Sequence, residues 1–396
     1  MLEKTPFVQA VDKRDFEQAL QLLDQGQRIP AGTTTHDLPF FLHQIVRDNG
    51  YKLLHALSLA GEIPNDIYDY DRFIDSIYHA IFKVNEPNEE LLALLRSLLD
   101  DAQNLQDEVD GHTLLSYALE NQAAPSIIKT LIDAGLDSSF RNNADATLLH
   151  NVVSYSHAPI DRQLAYIDLL LAAGLDVNDT NVVKQTALHM AVERNKPQLI
   201  DVLLQHGASP NQQDAEGNSP YFYAIAHKFD VGMYTKFAAY ETIDFEQRNK
   251  HGVSALHEYL RMLTASYETN PTLLVQLLQD GADLDSTSLH YQVPKSGWSW
   301  VVQKDPVLLE EALKITAVHV DKQDDDGNTL LHLVCAIDCN HDQKTAKNIY
   351  RKVKQLLDAG ASVDLTNNKE QTPLSLAATD NLKTKTVELL LAQQKS

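Results

Sequence analysis

Residues 328–341 read NTLLHLVCAIDCNH and hold both cysteines of the chain, Cys335 and Cys339, between His332 and His341. Thiolate and imidazole are ligands that zinc takes, and a thiol beside an imidazole base is also the pair that makes a cysteine nucleophile. Residue type alone leaves both chemistries open. Choosing between them, or discarding both, requires the register of the elements that carry the four side chains.

Other catalytic constellations are excluded by spacing. No two of the fifteen glycines lie two residues apart, so no G-x-G-x-x-G phosphate cradle can be drawn, and no G-x-x-x-x-G-K-[ST] occurs. H-E-x-x-H, C-x-x-C and G-x-S-x-G are absent as well. The carboxylates scatter, with nothing to pair them as acid and base. These patterns point to no catalytic residue, no cofactor and no metal.

Of the 396 residues 43% are hydrophobic and 22% charged, the composition of a folded chain. No apolar run approaches the roughly 18 to 20 residues of a membrane span. The opening MLEKTPFVQAVDKRDF lacks the apolar core of a signal peptide. Two cysteines cannot form a disulfide framework, so a reducing compartment, the cytoplasm, is expected. Lys plus Arg number 33 against 55 Asp plus Glu, a net charge of −22. Such a surface repels nucleic acid and anionic lipid and attracts a basic protein. The charge is uneven: residues 86–110 hold eight acids and one base, residues 341–354 five bases and one acid.

The tetrads around the histidines recur: TLLS at 113–116, TLLH at 147–150, TALH at 186–189, SPYF at 219–222, SALH at 254–257, TLLH at 329–332 and TPLS at 372–375. A second signature closes each interval, as in LIDAGLD at 131–137, LLQHGASPN at 203–211 and LLDAGASVD at 356–364. Twelve residues separate Gly135 from Thr147, Gly174 from Thr186, Gly207 from Ser219 and Gly360 from Thr372. Thr or Ser at the start of a unit caps a helix by accepting from its free N–H groups. Leu188, Ala191 and Val192 then share one helical face, as do Ile200, Leu203 and Leu204 on the next helix. The glycine suits a left-handed position after the second helix, and Asp/Asn-rich segments such as SPNQQDAEGN are turn chemistry. One helix pair cannot bury its own apolar face, so neighbours must stack on it.

This pattern resembles the ankyrin repeat, with its T-P-L-H helix, its L-L-L helix and its closing G-A-D-x-N. The resemblance implies an all-α ankyrin-repeat solenoid of stacked helix-turn-helix units with hairpin-like loops, a single domain over residues 1–396. About eleven units are expected, with capping positions near 5, 38, 73, 113, 147, 186, 219, 254, 293–299, 329 and 372. Repeats in 1–110 are degenerate and rest mainly on spacing, those in 111–283 match well, 284–321 is irregular, and 322–396 resumes the pattern.

The resemblance also implies a non-catalytic scaffold holding a protein partner on its concave face. Contacts would come from positions −4, −3, −1, +7 and +8 relative to the capping residue. In the unit at 186 these are Val182, Val183, Gln185, Glu193 and Arg194. The unit at 219 supplies Ala215, Glu216, Asn218 and His227, and the unit at 254 supplies Lys250, His251, Val253, Arg261 and Met262. The unit at 147 adds Asn143, Ala144, Ser154 and Tyr155. The expected partner is a protein, basic if the net charge is used, with no nucleic acid and no membrane, and the chain is expected as a monomer. Two narrower readings stand beside this one. An acidic inhibitor, in the manner of an immunity protein, would neutralise a basic enzyme or toxin. A bacterial effector would act on a host protein, a reading suggested by the irregular, insertion-bearing array.

Since the glycine-to-cap interval is constant, length variation falls between cap and glycine. Thr186 to Gly207 is 21 residues, Thr147 to Gly174 and Ser254 to Gly281 are 27, and Thr329 to Gly360 is 31. The extra residues are expected in the turns near 154–163, 263–271 and 339–348, as decoration or as partner contacts. Both tryptophans, Trp298 and Trp300, lie in the irregular unit. A cap at Ser299 would make 285–297 a long hairpin finger with Trp298 near its tip, a candidate binding anchor. A register starting at Val293 would put Trp298 in the core instead.

Register also places the opening stretch. Thr329 is a cap, Leu331 faces the core and His332 is the tetrad histidine, implied to make structural hydrogen bonds. Cys335 falls where the unit at 186 has Val192, a small buried position. Cys339 and His341 belong to the insertion, expected as an exposed turn. The four side chains thus divide among three environments, which argues against a shared metal.

Overall fold

Hydroxyl groups start the first helix of most units. Oγ of Thr113, Thr186, Ser219, Ser254, Thr329 and Thr372 accepts from the N–H three residues on, at 3.1–3.4 Å. Thr5 does the same for Val8. In the computed structural model, which describes residues 3–30, 33, 37–64, 66–263, 270–316 and 318–394, these helices are paired with a second, longer set. The chain divides into two compact units, Met1–Ser209 and Pro210–Ser396. Among the described residues the first holds six helix pairs and the second five, the eleven repeats expected.

Ala187–Glu193 and Pro197–Gln205 show the standard pair in the first unit. Leu188, Ala191, Val192, Ile200, Leu203 and Leu204 are all buried, the leucines, valine and isoleucine each stabilising by about 1.5–3 kcal/mol. The second unit opens with Pro220–Phe222, continued by a π-helix over Tyr223–His227. That wider turn adds one residue. The left-handed residue that ends a first helix is nine after the cap at Arg14, Gln122 and Asn195, and ten after it at Phe229.

The loops that precede the caps are built alike. Five residues before six of the caps stands Asn or Asp, whose Oδ1 accepts from the N–H groups two and four residues on. Asn142, Asn181, Asp214, Asn249, Asp324 and Asn367 all do so. Neighbouring tips are also tied to each other. The N–H of Val182 donates to Ala144 O (3.0 Å), Lys250 to Glu216 O (2.9 Å) and Asn368 to Asp326 O (3.0 Å). At one such tie Gly327, at φ +74°, brings its α-carbon so near that a Cβ would lie 2.8 Å from Asn368 N. Gly360, at φ +93°, has open space around it. Gly360→Ala should therefore cost only the left-handed penalty of about 1 kcal/mol, and Gly327→Ala about 2 kcal/mol or more through the added overlap. Chemical denaturation of the two variants checks the order.

A further set of bonds joins successive repeats, and each uses a basic side chain. Lys196 Nζ donates to Val153 O and Tyr155 O, at the end of Leu148–Ser154. Arg162 donates to Gln122 O, just past Leu114–Glu120. In the second unit Lys304 reaches Leu263 O (2.7 Å), Lys352 reaches Val302 O (2.7 Å) and Lys304 O (3.2 Å), and Lys383 reaches Cys335 O (2.9 Å). In all five cases the acceptors lie at the C-terminus of the preceding repeat's first helix, where carbonyls have no helical partner and carry partial negative charge.

Four expectations need correction. The third repeat is capped by Ser76 rather than at 73, because 3₁₀ turns at Ile67–Asp69 and Phe73–Asp75 precede Ile77–Phe82. The irregular unit is capped by Ser296, between the two registers considered. It carries the one strand pair among the described residues, β1 (Thr287–His290) antiparallel to β2 (Val293–Ser296), turning at Tyr291 and Gln292 with positive φ. The insertions at 154–163 and 339–348 lengthen second helices, to Ile160–Ala172 and Gln343–Asp358, rather than simply enlarging turns. Cys339 is buried, not exposed. Most of the insertion at 263–271 lies outside the described residues.

Candidate functional site

His332 Nδ1 lies 2.8 Å from Thr329 Oγ1 and accepts from the Thr329 N–H, while Nε2 meets Gln371 O at 3.0 Å. Accepting at Nδ1 leaves the proton on Nε2, so this imidazole is a neutral strut between its own cap and the next loop. His150 does the same between Thr147 and Gln185 O, and His257 spans from Ser254 Oγ to Ser286 O, the Ser254 N–H going instead to Ser288 Oγ. Burial holds the His150 imidazole below the ordinary histidine range and pushes His257 down to about 4. Cys335 and Cys339 are free, buried thiols. Burial pushes Cys335 up to about 12 and Cys339, with Asp380 adding to the effect, up to about 11. A nucleophilic cysteine needs the opposite shift. The four residues of the opening stretch are thus two core thiols, one tied strut and one exposed side chain, His341.

What the frame does present is its row of loop tips and first-helix ends. In the first unit Val182 and Val183 are 67% and 48% exposed on a tip held by Asn181 and Ala144. Gln185 Nε2 donates to Glu193 Oε1 (2.9 Å), and Arg194 beside it is exposed. These five residues lie on one tip and the helix end next to it. Tyr155 is half-buried, so only part of it is available. In the second unit Ala215, Glu216, Lys250 and His251 are exposed on neighbouring tips, with Lys250 paired to Glu216. Asn218 is half-buried and bonded by Asn249 Nδ2 (3.3 Å). His227 stacks edge-on with Tyr223 at 5.3 Å. Arg261 is held by Glu258 at 2.8 Å and Met262 is exposed beside it.

Trp298 must be removed from the set of surface candidates. It is 2% exposed, because a cap at Ser296 puts it at the core leucine position of the tetrad. The exposed apolar residues of the finger are Leu289, Val293 and, at its tip, Tyr291, 89% exposed. Sequence reasoning missed Tyr291; the signal was the Tyr-Gln pair between two strand-like stretches.

Stacked helix pairs, with tied tips that project varied side chains, make up each of the two units. Family models described as "Ankyrin repeats (many copies)" and "Ankyrin repeat" match residues 170–224 and 326–368. The chain is an ankyrin-repeat protein. It is 28% identical over 236 residues to human (Homo sapiens) B-cell lymphoma 3 protein, covering 58% of this chain and 47% of that one. The chain thus spans about half the length of that relative. The solved ankyrin repeat domain of Bcl-3 is similar at 24% identity, with a TM-score of 0.49 over 62% of this chain and 98% of that one. A structure described as the Bd0816 predatory endopeptidase of Bdellovibrio bacteriovorus in complex with immunity protein Bd3460 is similar at 21% identity, with a TM-score of 0.41 over 52% of this chain and 98% of that one.

Proposed function

We propose that the chain is a non-catalytic scaffold that binds a protein partner through its loop tips and first-helix ends, as a monomer in the cytoplasm. The observation that carries this reading is the pairing of a fixed tip backbone with free side chains. The same Asx bonds hold six tips, while Val182, Val183 and Arg194 stand in solvent. A surface ordered in advance loses little conformational freedom on binding. The buried, upshifted thiols support a non-catalytic role, and among the described residues no helix is long and apolar enough to cross a membrane.

The test is affinity capture from an extract of the producing cells, with the partner identified by mass spectrometry. Val182→Asp/Val183→Asp/Arg194→Glu and Arg261→Glu/Met262→Asp should each keep the helical circular dichroism. At least one should weaken partner recovery by about tenfold, the scale of one lost hot spot of 1.4 kcal/mol or more. Full recovery with both variants would remove these faces from the reading. The net charge of −22 favours a basic partner, in the limit an enzyme or toxin that the chain neutralises. In that case affinity should fall steeply with salt.

A further inference from the structure

One junction in the second unit lacks the imidazole strut of the two repeats that flank it, at His257 and His332. Three residues after the cap at Ser296, where His150, His257 and His332 stand in their repeats, the chain has Ser299. Its hydroxyl meets Ser296 Oγ at 2.9 Å, and one methylene cannot span to the next loop as an imidazole does. The adjacent residue, Trp298, replaces the usual leucine with a much larger ring. At this junction a groove of about 330 Å³ opens between β2 and the loop 318–328, a volume at the lower end of ligand-binding clefts.

The lining of the groove is specific. Trp298 forms part of it, and its buried Nε1–H has no acceptor among the described residues. Such an orphaned donor is unfavourable unless something accepts from it. Val293, Pro294 and Leu333 supply apolar wall. Asp325 and Asp326 supply carboxylates that no cation pairs with among the described residues. The two nearby lysines are already engaged, Lys295 over the Trp300 ring at 4.6 Å and Lys322 with Asp285 at 3.6 Å. Pro294 has no N–H to offer an added strand, so β-augmentation along the β2 edge is disfavoured.

We propose that this groove receives a basic, non-strand segment of a partner protein, a lysine or arginine lying against Asp325 and Asp326 and a main-chain carbonyl accepting from Trp298. The proposal rests on the scaffold reading and names the chemistry of what is held. Charge complementarity with a surface of net −22 selects a cationic occupant over an acidic one.

The two tryptophans of the chain both lie in this repeat, so the site reports itself. The full chain is titrated with the capped pentapeptide Leu-Arg-Leu-Arg-Leu and with its Glu counterpart, following indole N–H resonances and tryptophan emission. The arginine peptide should move the Trp298 indole resonance downfield, and the acidic peptide should leave it in place. Asp325→Asn/Asp326→Asn should raise the Kd about tenfold, from the loss of charge-assisted contacts of roughly 1.5 kcal/mol. Trp298→Phe, followed by Trp300 emission, should weaken binding by a smaller factor while keeping the fold. Equal binding of both peptides, an unmoved indole at millimolar arginine peptide, or an unchanged Kd in the double asparagine variant would each overturn the proposal. If the groove fails while the tip variants still lose a captured partner, the scaffold reading survives alone. If nothing is captured with any form of the chain, the scaffold reading itself fails.

Discussion

Lys352→Met should destabilise the second unit by about 3 kcal/mol, and Lys383→Met by a comparable amount. Lys352 is 3% exposed, and its ammonium donates to two carbonyls at the end of Gly297–Val301. Methionine keeps the stem and its packing but leaves Val302 O and Lys304 O without the donor. Each hydrogen bond to a charged group is worth roughly 1.5–3 kcal/mol, partly offset by releasing a buried charge. Lys344→Met, at an exposed position on the same helix, is the control and should change stability by less than about 0.5 kcal/mol. For a unit of this size a loss of 3 kcal/mol lowers the thermal midpoint by roughly 6–12 °C. Lys352→Met and Lys344→Met midpoints that coincide in calorimetry would show that the stitch is not a stabilising contact.

These stitches also mark the limit of what the sequence discloses. The cap hydroxyls, the tetrad histidines and the Asx tips recur at constant offsets, because each acts within its own repeat or on the loop next to it. The basic stitches recur in role but not in offset. Lys196 caps the start of a helix, Arg162 sits in a first turn, Lys383 ends a 3₁₀ turn, and Lys352 lies deep inside a helix of 16 residues. Any side chain long enough to reach the previous carbonyls serves, so no spacing announces it, and Lys352 reads as part of a solvated basic run. Cys339 is hidden for a related reason: its N–H is held by Asp380 Oδ2, 41 residues away. The misplaced register at Trp298 has a local cause. The finger stretches the interval from Gly281 to its cap, Ser296, to fifteen residues where the units at 147, 186, 219 and 372 keep twelve. The tip positions were legible as positions, but which of them carry exposed apolar area depended on burial. That dependence kept Val182 and demoted Trp298.

The second large effect is expected with pH. Acidification from pH 7 to pH 4.5 should remove several kcal/mol of stability through two wholly or partly buried histidines. Burial pushes His257 and His79 down to about 4, against about 6.5 in an unfolded chain. Between those values the unfolded state binds the protons and the folded state does not, so stability rises with pH in this window and is lost as pH falls through it. For His257, almost fully buried, integrating the difference gives about 3 kcal/mol at pH 4. Asp48, Asp342 and Asp380 have the opposite bias: hydrogen bonds, to Arg47 at Asp48, hold their carboxyls below the ordinary range. Their contributions are present above about pH 4 and disappear only below it, so the two windows separate. Histidine Cε1–H resonances should show the His257 and His79 rings still neutral at pH 5.5, while guanidinium unfolding midpoints fall steadily from pH 7 to pH 4.5. His257→Asn should lower stability at pH 7, by breaking the strut to Ser286 O, and flatten the slope by up to one proton. A His257 midpoint near 6.5 would mean that the imidazole is solvated. The strut could then not be the buried, neutral tie that joins this repeat to the finger.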